Sequence, residues 1–248
     1  MAGKSLIYKD NRVIEASYRL TLREQRLVLL AISQVKSLEK LNENRVFTIT
    51  ASEYAAMFGG DTKIAFRDIK VALDELFERY IKVIASEDKT EIIRWISKKS
   101  TTVSNQSVEI RFTPDIAPYL SNLKGNFTKY QLLNISGMSS IYSIRIYEML
   151  MQWKCNHSLT LTIDQLKDRL QTGSSYPAFA NLRQKVLDVA VTEINECSDI
   201  DVAYVLLKSG QKVESVRFGY TFKEGRGPKP SSKADTLDML RDLKKGLK

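Results

Sequence analysis

Residues 181–185 place four side chains suited to reading a base pair: Asn181, Arg183, Gln184 and Lys185. Asn and Gln amides can pair through two hydrogen bonds with adenine, and an arginine guanidinium can fork onto guanine O6 and N7. An outward cluster of these types near a helix N-terminus is therefore apt for the major groove. At about 100° per residue, Phe179, Leu182, Val186 and Val189 share one buried stripe; Asn181 and Gln184 point away from it and Arg183 and Lys185 flank it. The same residues would equally furnish a solvated helix face, and the local pattern alone leaves both readings open. Earlier in the chain Lys63, Arg67 and Lys70 face outward, rich in charge and poor in amides, a mixture suited to phosphate contact more than base discrimination. Lys208, Lys212 and Arg217 lie near a predicted hairpin, where they could hold backbone phosphates; Arg217 and Arg111 alternate with apolar neighbours, as solvent-facing strand arginines also do.

Bond-making chemistry finds few candidates. The sequence contains no Gly-x-x-x-x-Gly-Lys-Ser/Thr loop, so nothing supports ATPase or helicase activity. His157 is the sole histidine, whereas a metal-dependent nicking nuclease needs paired histidines as ligands. Cys155 lies two positions from His157 without a third partner for nucleophilic catalysis. Acidic residues read as scattered singly or set on helix surfaces. No catalytic residue, metal or cofactor is expected, and the chain reads as a non-enzymatic binder.

The elements that must position these side chains recur. Phe47-Thr48-Ile49-Thr50 leads into a helix through Ala51-Ser52-Glu53, and Leu159-Thr160-Leu161-Thr162 leads into a helix through Ile163-Asp164-Gln165. Both place threonine three residues before Glu or Gln, the signature of a capping box. Phe66, Ile69, Leu73 and Leu76 on the following helix match Phe179, Leu182, Val186 and Val189 on its counterpart. A preceding helix matches Arg26-Leu27 with Arg145-Ile146, and a closing strand pair matches Ile110-Arg111-Phe112 with Val216-Arg217-Phe218. Helix, short strand, helix, helix, strand, strand is the order of a winged helix. The expected fold class is α+β, two tandem winged-helix domains related by an internal pseudo-repeat.

The expected organisation is a loose N-terminal arm over 1–16 with an extended start at Leu6-Ile7-Tyr8, a first domain over 17–122, a second over 123–224 and a basic tail over 225–248. In the first domain the strands are predicted at 81–85, 92–97 and 108–112, with the link 98–106 forming a wing tip that carries Lys98 and Lys99. Leu20, Leu27 and Leu41 hint at a heptad that Gln34 breaks, and they read as core rather than zipper. Gly173-Ser174-Ser175 is the predicted turn before the second long helix, with Pro177 in that helix's first turn. The tail reads as a linker followed by a short basic helix over 236–248, with three roles open: an electrostatic arm, a partner-binding helix, or disorder.

The chain has 248 residues, comfortable for two domains, with 43% hydrophobic content. Its 38 Lys and Arg against 29 Asp and Glu give a formal charge of +9. The excess grows toward the end, where positions 208–248 hold 11 basic and 5 acidic residues. Such a balance fits a polyanionic partner, because each neutralised phosphate releases condensed counterions; solubility is the plainer reading. No apolar run approaches the roughly 20 residues of a membrane span, and the start lacks the apolar stretch of a secretory signal. Two cysteines, Cys155 and Cys197, match no metal-ligand spacing and read as reduced thiols. A cytoplasmic protein without membrane contact, gripping double-stranded DNA at two places, is the expectation.

Five strings in order carry a resemblance: Leu22-Arg23-Glu24-Gln25-Arg26, Tyr54-Ala55-Ala56-Met57-Phe58-Gly59, Asn126-Phe127-Thr128-Lys129-Tyr130, Ile144-Arg145-Ile146-Tyr147-Glu148-Met149-Leu150 and Val191-Thr192-Glu193-Ile194-Asn195. Over residues 13–222 the chain resembles the iteron-binding initiators of bacterial plasmid replication. The resemblance implies monomers that bind direct repeats at an origin, help to open the duplex, and recruit host replication proteins and chaperones. It also implies homodimers, formed through the first domain, that repress the initiator's own promoter at an operator. The family's basic cluster on the second recognition helix falls on Arg183, Gln184 and Lys185, Gln184 departing from the family's arginine. An arginine opening the first helix, here Arg23, touches DNA in the family. A dedicated transcriptional repressor and a nicking rolling-circle initiator are the alternative readings.

Overall fold

The computed structural model describes residues 5–36 and 38–225; the expected basic helix over 236–248 lies outside them. The chain divides into two compact units between Ser136 and Gly137.

The first unit opens with strand β1 (Leu6–Asp10) and helix α1 (Asn11–Glu15), then α2 (Leu22–Ser33), β2 (Phe47–Thr50), α3 (Ala51–Phe58) and α4 (Thr62–Leu76). Strands β3 (Tyr80–Ser86), β4 (Lys89–Arg94), β5 (Ile96–Thr102) and β6 (Ser107–Phe112) follow, then a 3₁₀ turn at Ala117–Tyr119, β7 (Phe127–Gln131) and α5 (Leu133–Ser136). The second unit comprises α6 (Ile141–Gln152), β8 (Ser158–Thr162), α7 (Ile163–Leu170), α8 (Phe179–Leu182), a π-helical turn (Arg183–Leu187), α9 (Asp188–Cys197), β9 (Ile200–Ser209) and β10 (Lys212–Phe222).

Both units build a three-stranded antiparallel sheet in the same order, β2-β6-β5 in one and β8-β10-β9 in the other. Each opening strand runs directly into a capped helix. Thr50 and Thr162 accept from the backbone of Glu53 and Gln165 at 3.1 Å each, and those side chains accept in return from the cap N–H groups. This reciprocal arrangement satisfies donors that a helix start leaves open. Two winged helices are therefore present. A third capping box, Thr21 with Glu24, starts α2. Leu20, Leu27 and Leu41 are all buried and belong to the core.

Four expectations need correction. Residues 1–16 are not a loose arm where they are described: β1 pairs antiparallel with β7 from Leu6↔Gln131 to Asp10↔Phe127, and Ile7, Val13 and Ile14 are fully buried. That pairing also moves the division from 122/123 to 136/137, because β7 finds its partner at the start of the chain. The strand predicted over 92–97 is two strands. Trp95 and Ile96 are both buried, and two consecutive inward residues break a strand's alternation, so the chain changes sheets there. The hairpin β3-β4 is consequently a separate two-stranded sheet inserted before the wing. Finally, Pro177 precedes the helix, which starts at Phe179 with Ala178 as its cap.

Glu24 and Glu148, read as surface acids, are buried, each facing an arginine: Glu24 with Arg79 at 2.7 Å and Glu148 with Arg145 at 3.6 Å. Among the described residues no helix is long and apolar enough to cross a membrane.

Candidate nucleic-acid interface

The second unit's long helix is continuous from Phe179 to Cys197 but not uniformly α-helical. Its buried positions Leu182, Val186, Ala190 and Ile194 recur every four residues. Four residues exceed the 3.6 of an α-turn, so over three repeats the stripe drifts by roughly one residue. The π turn absorbs that drift, closed by the Asp188 N–H donating to the Arg183 carbonyl. Val186 and Leu187 are then both buried, while Phe179 and Val189, expected in the stripe, are only half-buried. Asn181, Arg183, Gln184 and Lys185 are all exposed, so the expected reading face is on the surface.

Arg183 faces an acidic side chain of its own helix. Arg183 Nε lies 3.8 Å from Asp188 Oδ2, with the two side chains 49% and 48% exposed. Asp188 Oδ1 accepts a 2.5 Å hydrogen bond from the Tyr204 hydroxyl. Tyr204 is buried on β9, and burial together with that bond raises its pKa to about 12, against a lowering pull from Arg183. Sequence reasoning missed Asp188 and Tyr204. Positions five apart sit about 140° apart on an α-helix, so their spacing gave no cue; the four-residue recurrence of apolar positions was the available signal.

In the wing, Lys208 and Lys212 are exposed on either side of the β9-β10 tip, where Gly210 takes the positive φ of 59° that the tight turn requires. Arg217 is not brought to that tip. It lies about 16 Å further along β10 at a strand's rise per residue, directly opposite Thr160, whose hydroxyl accepts from its Nε at 3.3 Å. Arg111 in the first unit likewise donates from Nε to Ser97 at 3.2 Å. Both are solvent-side strand arginines.

On α4, Lys63, Arg67 and Lys70 are exposed at a spacing of four and three, which gathers them on one face. Arg23 on α2 joins them. Its Nε is 3.6 Å from Asp68 Oδ2, and Arg67 approaches the other oxygen of Asp68 at 3.6 Å. The Lys70 ammonium lies 4.9 Å over the Phe66 ring. The first unit's wing differs from expectation. Lys98 and Lys99 sit within β5, facing Glu109 at 4.0 Å and Asp74 at 2.6 Å, and the turn between β5 and β6 is the uncharged Val103-Ser104-Asn105-Gln106. Among the described residues no group of three or more His, Cys, Asp or Glu could hold a metal ion.

Residues 6–151 match the family described as Initiator Replication protein, WH1, and residues 162–220 match Initiator Rep protein, WH2. The chain belongs to the initiator replication protein family. An Escherichia coli "Replication initiation protein" is 27% identical over 221 residues, covering 86% of this chain and 68% of that protein. The Escherichia coli "PI protein" is 26% identical over 259 residues, covering 89% and 84%. Among solved structures, the Pi initiator protein in complex with iteron DNA superposes with a TM-score of 0.77 at 23% identity, over 89% of this chain and 98% of that one. That superposition shows a shared two-domain winged-helix fold.

The expectation that the charge-rich, amide-poor face of α4 meets the DNA backbone can be tested at Lys63. Lys63→Ala should weaken binding to every duplex by a similar factor and reduce the slope of log affinity against log salt by about one, the signature of one lost phosphate contact. Titrations of specific and random duplexes at several salt concentrations would show it; a loss confined to one sequence would assign Lys63 to a base instead.

Proposed function

We propose that the protein initiates plasmid replication by binding direct repeats, or iterons, in origin DNA, making no covalent change to the DNA itself. The observation that carries this reading is the exposed 181–185 face on the recognition helix of the second of two winged helices. The solved relative, an initiator bound to iteron DNA, supports the same ligand for this fold. In the proposed arrangement Asn181, Arg183, Gln184 and Lys185 read bases, Lys208 and Lys212 hold flanking phosphates, and Arg217 contributes at most long-range charge. Arg23, Lys63, Arg67 and Lys70 add affinity through the backbone.

The proposal extends to a monomer on iterons that promotes opening and recruits host replication proteins and chaperones, and to a homodimer that represses its own promoter. The resemblance to the initiator family supports these steps, and for dimers the β3-β4 hairpin adds a physical reason. Its Tyr80, Ile84 and Ile92 share one face with the exposed Lys82 and Arg94 and are 60–70% exposed, large apolar side chains that a second copy would cover.

Selection of bound duplexes from a random pool, followed by footprinting on a natural origin, tests the reading. Tandem direct repeats are the expected outcome. Protection confined to a single inverted repeat would make the protein a dedicated repressor, and a covalent tyrosine adduct on supercoiled origin DNA with a divalent metal would make it a nicking initiator.

A further inference from the structure

We propose that Asp188 is a positioning residue for base reading: its carboxylate, anchored by the Tyr204 hydroxyl, pairs with the Arg183 guanidinium from the Nε side and orients it toward a base. The inference rests on Arg183 being a base contact, as proposed above.

Three observations carry it. The first is the π turn. In an α-helix, position 188 would point well away from position 183, and no ion pair would form between them. The i to i+5 bond from the Asp188 N–H to the Arg183 carbonyl widens the turn and returns Asp188 to the side of Arg183. The second is the anchor. Tyr204 is 4% exposed and packs against Phe218 with ring centroids 6.0 Å apart, so its hydroxyl is a fixed point. It takes one carboxylate oxygen at 2.5 Å and leaves the other for Arg183. Because the Tyr204 pKa stands at about 12, the hydroxyl keeps its proton and donates throughout the physiological range. The third is the side from which the carboxylate approaches. The closest approach of the carboxylate is to Nε, not to the end of the guanidinium fork that pairs with guanine O6 and N7.

The consequence concerns specificity more than stability. An ion pair between two half-exposed side chains contributes little to folding. Holding an arginine in its reading orientation removes part of the ordering cost that binding otherwise carries. A fixed carboxylate beside the groove also repels phosphates, so it penalises contacts in which Arg183 has found no base. Asp188 should therefore raise affinity for the right sequence and lower it for every other.

The test uses the full chain and two duplexes of equal length, one with the sequence recovered by selection and one of random sequence. Asp188→Asn keeps the shape and an acceptor for Tyr204 but removes the charge. It should tighten binding to the random duplex by about twofold, as one more net positive charge meets the backbone, and lower the selected-to-random ratio by about tenfold. In an Arg183→Ala background the same substitution should leave the ratio unchanged within about twofold, since coupled residues are not additive. Tyr204→Phe, which deletes only the anchoring hydroxyl, should lower the ratio by about threefold, and it decides the matter should Asp188→Asn unfold by circular dichroism. An unchanged ratio in the folded variant overturns the proposal, as does an equal fall with and without Arg183. If Arg183→Ala alone weakens both duplexes equally, the base-contact reading itself has failed and takes this inference with it.

Discussion

Arg145→Ala should lower the stability of the second unit by about 3–5 kcal/mol, the range for removing one partner from a buried ion pair. Arg145 and Glu148 sit one turn apart on α6 with side chains 3% and 0% exposed. Arg145 Nη1 is 3.6 Å from the Glu148 carboxylate, and its Nη2 donates to the Arg169 carbonyl at 3.3 Å near the end of α7. Truncation takes the guanidinium from a carboxylate that water cannot reach, and takes a donor from a helix-end carbonyl. When both charges go together, the part of the cost due to a buried carboxylate losing its cation should vanish, while the loss of the donor to the Arg169 carbonyl remains. Arg145→Met with Glu148→Leu replaces the pair by apolar groups of similar length, and such replacements are often neutral or stabilising. Urea denaturation followed by circular dichroism would compare the variants with the wild type. A double variant as unstable as Arg145→Ala alone would show that α6 depends on its hydrogen bonds rather than on the burial of charge.

The same two residues mark where sequence reading stops. The string from Ile144 to Leu150 was legible as a helix and as half of an internal repeat, because periodicity and order are local properties. That its arginine and glutamate face inward was not legible, since a charge on a helix is usually solvated and only the neighbouring α7 tells otherwise. Capping boxes at Thr50 and Thr162 were legible because donor and acceptor lie three residues apart, and they fixed the strand-to-helix junctions of both winged helices. The extended start at Leu6-Ile7-Tyr8 was legible, but its burial and pairing were not, because its partner β7 lies more than a hundred residues away and no local feature distinguishes a frayed extended start from a buried strand. The break at Trp95 belongs to the same class: two inward residues in succession look like one apolar run until a second sheet is available to receive the chain.

For the interface, the sequence identified the outward residues and missed the carboxylate that faces Arg183. Asn181, Arg183, Gln184 and Lys185 were placed correctly on the surface because exposure on a helix follows from Leu182 and Val186 being buried. The assumption of uniform α geometry then misassigned Phe179 and Val189 and hid Asp188. A single wide turn changes which side chains are neighbours, and ideal periodicity cannot represent it.

Arg183→Ala should therefore weaken binding to the selected duplex by about 1–3 kcal/mol, and to a random duplex by distinctly less. The asymmetry follows from geometry. A guanidinium whose Nε faces Asp188 at 3.8 Å can turn its planar pair of terminal donors to a base, and guanine is the base whose major-groove edge offers two acceptors at matching separation. Substituting each base pair of the selected site in turn should locate one position at which the wild type discriminates by roughly tenfold or more and the Arg183→Ala variant does not. Lys185→Ala serves as the contrast: an ammonium is a point charge without the planar fork, so a larger share of its loss should appear on both duplexes and fall away at higher salt. Should Arg183→Ala instead lower both affinities by one factor and reduce the salt slope by about one, Arg183 is a phosphate clamp, and sequence reading must pass to Asn181 and Gln184, the two side chains on that face able to pair bidentately with adenine.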